Sequence, residues 1–245
     1  MSDTALVAAF LLIAALYASV GQAGASGYLA VMALAGFAPV AMKTTALALN
    51  LAVAGIGTAL FLRAGRIGWR NVWPFALLGF PFSMLGGAVH LPERLYFPIV
   101  GAVLILSALQ MARTAWRGRP VEPDTIRPAP FLPALLTGAL FGFVSGTTGT
   151  GGGVFLAPVI LAMGWGTPRQ TAATTAVYNL MNSAAALLGA YAMWDQIPPA
   201  LPIWLIAVGV GGTLGAVIGS RYLSDRWLRG ILALLLVASG LKLLL

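Results

Sequence analysis

The chain is 245 residues long, 60% hydrophobic and only 8% charged, well below the roughly one-quarter charged content of soluble domains, so it reads as an integral membrane protein. Its formal charge of +8 does not point to nucleic acid. Apart from Lys242, the 14 lysines and arginines lie in or beside short loops between apolar stretches, which is a signal of topology. There is no cysteine for thiolate or disulfide chemistry and one histidine cannot form a metal cluster, so no metal, cofactor or enzymatic chemistry is expected.

In chain order the apolar segments fall at 5–20, 28–38, 43–62, 72–90 and 95–112, then at 131–144, 154–165, 170–194, 200–222 and 227–245. The flank before the first segment is acidic (Asp3) and carries no basic residue, which argues for a retained segment rather than a cleaved signal. A polar, proline-rich stretch at 113–130 is the only linker. These features predict an all-α, polytopic membrane protein: one transmembrane domain over 1–245, with repeat 1 at about 5–112, a cytoplasmic linker, and repeat 2 at about 131–245. Each repeat offers five helical elements, and the first two are short for comfortable spans.

Two glycine-rich breaks interrupt corresponding places in the halves, GQAGASG at 21–27 and GTTGTGGG at 146–153. Pro39, Thr45 and Asn50 align with Pro168, Thr174 and Asn179 at one constant offset, and the glycine runs align at an offset four residues smaller. Unwound backbone survives in a bilayer only where protein or a polar cavity satisfies it, so paired breaks point to a binding site between the halves.

Charge gives a separate constraint. Arg63, Arg66 and Arg70 crowd one loop, Arg113, Arg117, Arg119 and Arg127 a second, and Arg221, Arg226 and Arg229 a third; the positive-inside rule assigns all three to the cytoplasm. Parity then requires 131–165 to return to its starting side. As a straight helix that stretch would run roughly 52 Å, against a hydrocarbon core of about 30 Å. It should be a hairpin folded at the glycine break, with 5–38 its inverted counterpart and both termini on the periplasmic side.

The glycine breaks suit an anion, because exposed N–H groups followed by a new helix N-terminus bind negative charge without a cationic side chain. Gly21, Gln22 and Gly24 in the first break, and Thr147, Thr148, Gly149, Gly151 and Gly152 in the second, are therefore candidate substrate ligands. Asn50 and Asn179, seven and nine residues into their predicted helices, fall near the midplane and need polar partners; Thr45, Thr174 and Thr175 lie about a turn earlier. Each asparagine could instead only bond the opened backbone of a neighbouring break, and the threonines could back-bond to their own helices. Lys43 and Arg169 read either as anion attractors or as interfacial anchors, and the latter is the plainer reading. All six acids lie in loops or at segment ends, which leaves no carboxylate inside a span for a cation pump or proton relay.

With these elements together, the chain resembles the TauE/SafE family of sulfite exporters and related permeases, over about residues 6–245. The resemblance is carried by SGTTGTGGGVFLAPVIL at 145–161 and TAATTAVYNLMNS at 171–183, while the first half departs from it with Ala25 and Ser26 where the second has Thr150 and Gly151. It implies transport of a small anion (sulfite, a sulfonate or an organic acid) across the bacterial inner membrane, and fixes that class better than the direction; export by alternating access is the leading expectation. A passive anion channel and a non-transporting scaffold are the alternatives. The expected partners are the anionic substrate and the lipid bilayer, without nucleic acid; a homodimer is compatible with the apolar surface.

Overall fold

The computed structural model describes residues 2–19, 22–117, 127–222 and 225–245. These residues form ten α-helices and no strand. In order they are α1 (Asp3–Ser19), α2 (Ala25–Ala35), α3 (Pro39–Arg63), α4 (Trp69–Ala88), α5 (Glu93–Arg117), α6 (Phe131–Thr148), α7 (Gly153–Ala162), α8 (Pro168–Gly189), α9 (Leu201–Tyr222) and α10 (Asp225–Leu244). Linker positions 118–126 lie outside the described residues. Three helices are long and apolar enough to cross a membrane by length and composition: α3, Glu93–Gln110 within α5, and α6.

Every predicted segment becomes a helix, with corrections: α2 begins at Ala25 and α6 runs on to Thr148, so both glycine breaks are shorter than expected and Thr147 and Thr148 are helical, and α5 continues to Arg117 into the predicted linker. Helices α3 and α8 begin at Pro39 and Pro168, earlier than the apolar pattern implies, because proline is pre-organised for the first helical position where its missing N–H costs nothing. Each of the two asparagines therefore lies eleven residues past its helix's first proline, roughly 16 Å along at about 1.5 Å per residue. The segment at 170–194 is not one helix; α8 stops at Gly189 and a short 3-10 helix, Tyr191–Gln196, follows it.

Short α2 ends cleanly because Gly36 adopts a left-handed conformation (φ 79°) and returns its N–H to Ala33, while Phe37 bonds back to Met32. At the other short helix, the Arg127 N–H donates to the Gly164 carbonyl at 3.0 Å. That bond joins the approach to α6 to the exit of α7, so this pair folds back on itself as chain parity requires. The ring of Trp204, on α9 of the second half, meets both Phe10 of α1 and Phe37 just past α2, at 5.3 and 6.0 Å.

Helix pairing is set by small residues. Gly138, Gly142 and Gly146, one turn apart on α6, lie against the carbonyls of Phe75, Gly79 and Ser83 on α4, so that any side chain there would collide with backbone. Helix α9 approaches α1 in the same manner, with Gly211 and Gly215 on the Leu11 and Ala15 carbonyls. Gly101 of α5 and Gly240 of α10 cross face to face. Further pairings are α3 with α8, α4 with α8, and α3 with α9.

Candidate functional site

The second break is the more heavily unwound. Gly149, Gly151 and Gly152 all have positive φ (88, 76 and 82°), a region that side chains on L residues disfavour. The chain therefore leaves α6 at Gly149 and enters α7 at Gly153 without completing a helical turn. Along this stretch the N–H groups of Thr150, Gly151 and Gly152 have no acceptor among the described residues. Three adjacent buried donors without partners are costly unless something accepts from them.

Asn179 and Asn50 organise the two breaks in parallel. Asn179 Oδ1 accepts the Gly153 N–H at 2.7 Å, and Asn50 Oδ1 accepts the Ala25 N–H at 3.1 Å. Each asparagine thus satisfies the first N–H of the short helix in its own half, one of the orphan donors every helix N-terminus leaves. Asn50 Nδ2 donates to Ser183 Oγ at 2.8 Å, crossing from α3 to α8. The space in front of Gly151 is closed by this same Asn50 Nδ2 and by Asn179 Oδ1, so the two asparagines converge on one glycine. The asparagines bond opened backbone, and their placement also presents the second Asn50 amide proton beside the free N–H groups.

The remaining candidates divide. Thr147, Thr148 and Thr175 return their hydroxyls to the carbonyls of Phe143, Val144 and Thr171. Thr148 Oγ1 also lies 3.0 Å from Thr150 Oγ1, and the Tyr96 hydroxyl donates to the Thr148 carbonyl. Thr45 is fully buried with no partner for its hydroxyl, while Thr174 lines a cleft beside the start of α8. In the first break, Gly24 is left-handed (φ 96°) and Gln22 bonds through its N–H to Tyr17, its side-chain oxygen unpartnered. The Tyr28 hydroxyl covers Gly24 and donates to the Ala23 carbonyl at 3.0 Å. Gly21 lies outside the described residues.

Lys43 differs from the interfacial anchor expected of it. It is only 3% exposed, and its Nζ donates to the carbonyls of Gly86, Gly87 and Val89 at 3.1, 2.7 and 2.9 Å. It closes the C-terminus of α4, where a cation complements both the free carbonyls and the helix dipole. Its backbone also packs on Gly149, so the residue carrying this charge abuts the second break. Lys242 performs the same service for α2, at the Ala33 and Leu34 carbonyls. Arg169 is exposed. Sequence reasoning missed Tyr17, Tyr28 and Tyr178, each of which packs at a break; the Tyr17 hydroxyl lies 2.9 Å from Ser26 Oγ, and Tyr178 packs on Gly152. Among the described residues no group of three or more His, Cys, Asp or Glu gathers to hold a metal ion.

A family model described as the sulfite exporter TauE/SafE matches residues 6–243. The chain is 64% identical over 239 residues to a probable membrane transporter protein, y4hK, of Sinorhizobium fredii (strain NBRC 101917 / NGR234), covering 98% of this chain and 97% of that one. It is 28% identical over 249 residues to the probable membrane transporter protein ORF9 of a Sinorhizobium species, covering 98% and 92% of the two. No solved structure matches.

Proposed function

This chain belongs to the TauE/SafE sulfite exporter family, and on that premise we propose that it carries a small anion (sulfite, a sulfonate or a related organic acid) out across a bacterial inner membrane by alternating access. The observation that carries this reading is the run of free N–H groups at Thr150, Gly151 and Gly152, flanked by the asparagine amides and by no carboxylate. Such a cradle accepts negative charge through oriented backbone dipoles and repels none of it.

The halves are inverted repeats in this account. Exchanging α1–α5 for α6–α10 turns the pairing of α1 with α9 into that of α6 with α4, and turns α3 with α8 and α5 with α10 into themselves. An odd number of elements per repeat gives the halves opposite orientations, with the arginine-rich loops in the cytoplasm and both termini in the periplasm. The free N–H groups then belong to hairpin tips that meet near the middle of the bilayer.

The test is flux from proteoliposomes loaded with sulfite, isethionate or acetate. Saturable efflux of one or more of these above protein-free vesicles is the expected result. Efflux that rises without saturation assigns the protein as a passive channel, and no efflux of any anion contradicts transport by this site.

A further inference from the structure

Lys43 is the one charged side chain buried among the described residues. Its Nζ donates to three carbonyls, those of Gly86, Gly87 and Val89, and only an ammonium has three protons to give, so the buried nitrogen is cationic. No carboxylate pairs with it among the described residues; Glu93, the acid nearest to those carbonyls along the chain, is exposed. Burying a charge is costly unless it is paired and hydrogen-bonded, and three carbonyls solvate the ammonium without cancelling its charge. A positive charge is therefore left over inside the protein.

Capping α4 does not require that burial. Lys242 serves α2 in the same way, at the Ala33 and Leu34 carbonyls, and its side chain is exposed. What sets Lys43 apart is where its charge lies. Its backbone packs on Gly149, the residue that caps α6. Of the glycines whose carbonyls it binds, Gly86 packs on Thr147 and Gly87 on Gly146, in the last turn of α6. The carbonyl end of α4, which carries the negative end of that helix's dipole, thus lies against the second break, and Lys43 reverses the sign of the charge there.

The halves differ in this respect. At the offset that pairs Asn50 with Asn179, Lys43 corresponds to Ala172, so the second half supplies no equivalent charge. Gly24, the counterpart of Gly149, is met by Tyr17 and Tyr28 and by no lysine. The break with the run of free N–H groups at Thr150, Gly151 and Gly152 is also the break with a buried cation against it.

We infer that Lys43 is the counter-charge of the anion bound at the second break. It touches three carbonyls and not the anion, and acts through the weakly screening interior as a fixed positive charge that raises the affinity of the site. Lys43 is a positioning residue, and its role rests on the anion-binding reading of that break.

The test is anion binding to the full-length protein in detergent, read as thermal stabilisation by sulfite, isethionate or acetate at an ionic strength held constant with gluconate. Lys43→Gln keeps amide donors for the α4 carbonyls and loses the charge, Lys43→Met loses both, and Lys242→Met removes the equivalent cap of α2. For the anion that stabilises the parent most, the apparent dissociation constant should rise about tenfold in both Lys43 variants. That is the size expected of a unit charge roughly 10 Å away at an effective dielectric constant of about 20. In Lys242→Met it should stay within about twofold of the parent's. In proteoliposome flux the half-saturating concentration should rise by the same factor in the Lys43 variants, with maximal flux within about threefold of the parent's. Either Lys43 variant suffices if the other fails to fold. An unchanged dissociation constant in a folded Lys43 variant, an equal rise in Lys242→Met, a fall in maximal flux with half-saturation unchanged, or no stabilisation of the parent by any of the three anions overturns the inference. If the parent is stabilised but moves no anion, the transport reading fails, and the dissociation constants still decide the role of Lys43.

Discussion

The two glycine breaks are built on the same plan and differ in how much backbone they leave free. Each is capped by an asparagine eleven residues into the following long helix. In the first, one left-handed glycine is described, and Tyr28 lies across it with its hydroxyl turned to Ala23. In the second, three left-handed glycines hold the chain open; the asparagine amides approach Gly151, while the Tyr178 ring packs on Gly152 and the Lys43 backbone on Gly149. The asparagine cap is therefore the shared structural device. What distinguishes the second break is its row of donors, and the proposed anion site lies mainly there.

The comparison is broken most severely at Gly151. In Gly151→Ala the new methyl would meet Asn50 Nδ2 from a left-handed backbone that alanine disfavours by roughly 1–2 kcal/mol. Proteoliposome flux should fall by about 100-fold or more, as for other small misplacements of a binding group. Gly24→Ala carries the same left-handed strain, but its methyl meets Tyr28 and Tyr17 at 3.0–3.3 Å, contacts less severe than that at Gly151; its flux should fall by less. Equal losses would erase the distinction between the breaks.

The asparagines sharpen it. Asn50→Ala strands the Ala25 N–H and the Ser183 hydroxyl, whereas Asn179→Ala strands only the Gly153 N–H. An unpaired buried group costs about 1–3 kcal/mol, so thermal unfolding in detergent should place Asn50→Ala below Asn179→Ala, and both below the parent. Flux should fall in both variants, because both amides line Gly151.

Lys43→Met removes the cation that closes α4 and exposes three carbonyls, for a loss of about 1–3 kcal/mol by the same measurement. Lys242→Met, whose partners lie nearer the surface, should cost less. Smallest of all are Thr147→Val and Thr175→Val. Their hydroxyls serve their own helices, so unfolding should shift by no more than about 0.5 kcal/mol and flux should stay near the parent's.

Much of this architecture is legible in the chain. Apolar length and the arginine loops give ten helices and the return of 131–165, because a bilayer admits few alternatives. The breaks and their asparagines are legible too, since glycine runs and buried amides are rare in spans. Helix starts at Pro39 and Pro168 were obscured because hydropathy registers the first apolar residue, whereas the helix obeys the proline before it. Lys43 was misread as an anchor because its position near a predicted helix end says nothing of the three carbonyls that α4 delivers from 43 residues or more downstream.

The most direct test of the central claim is hydrogen–deuterium exchange at the two breaks, with and without the anion that gives the fastest proteoliposome flux. Anion-dependent protection at Thr150, Gly151 and Gly152, with little change at Ala23 and Gly24, is the predicted result. Protection confined to the first break, or none at either, would contradict anion binding by the N–H groups of the second.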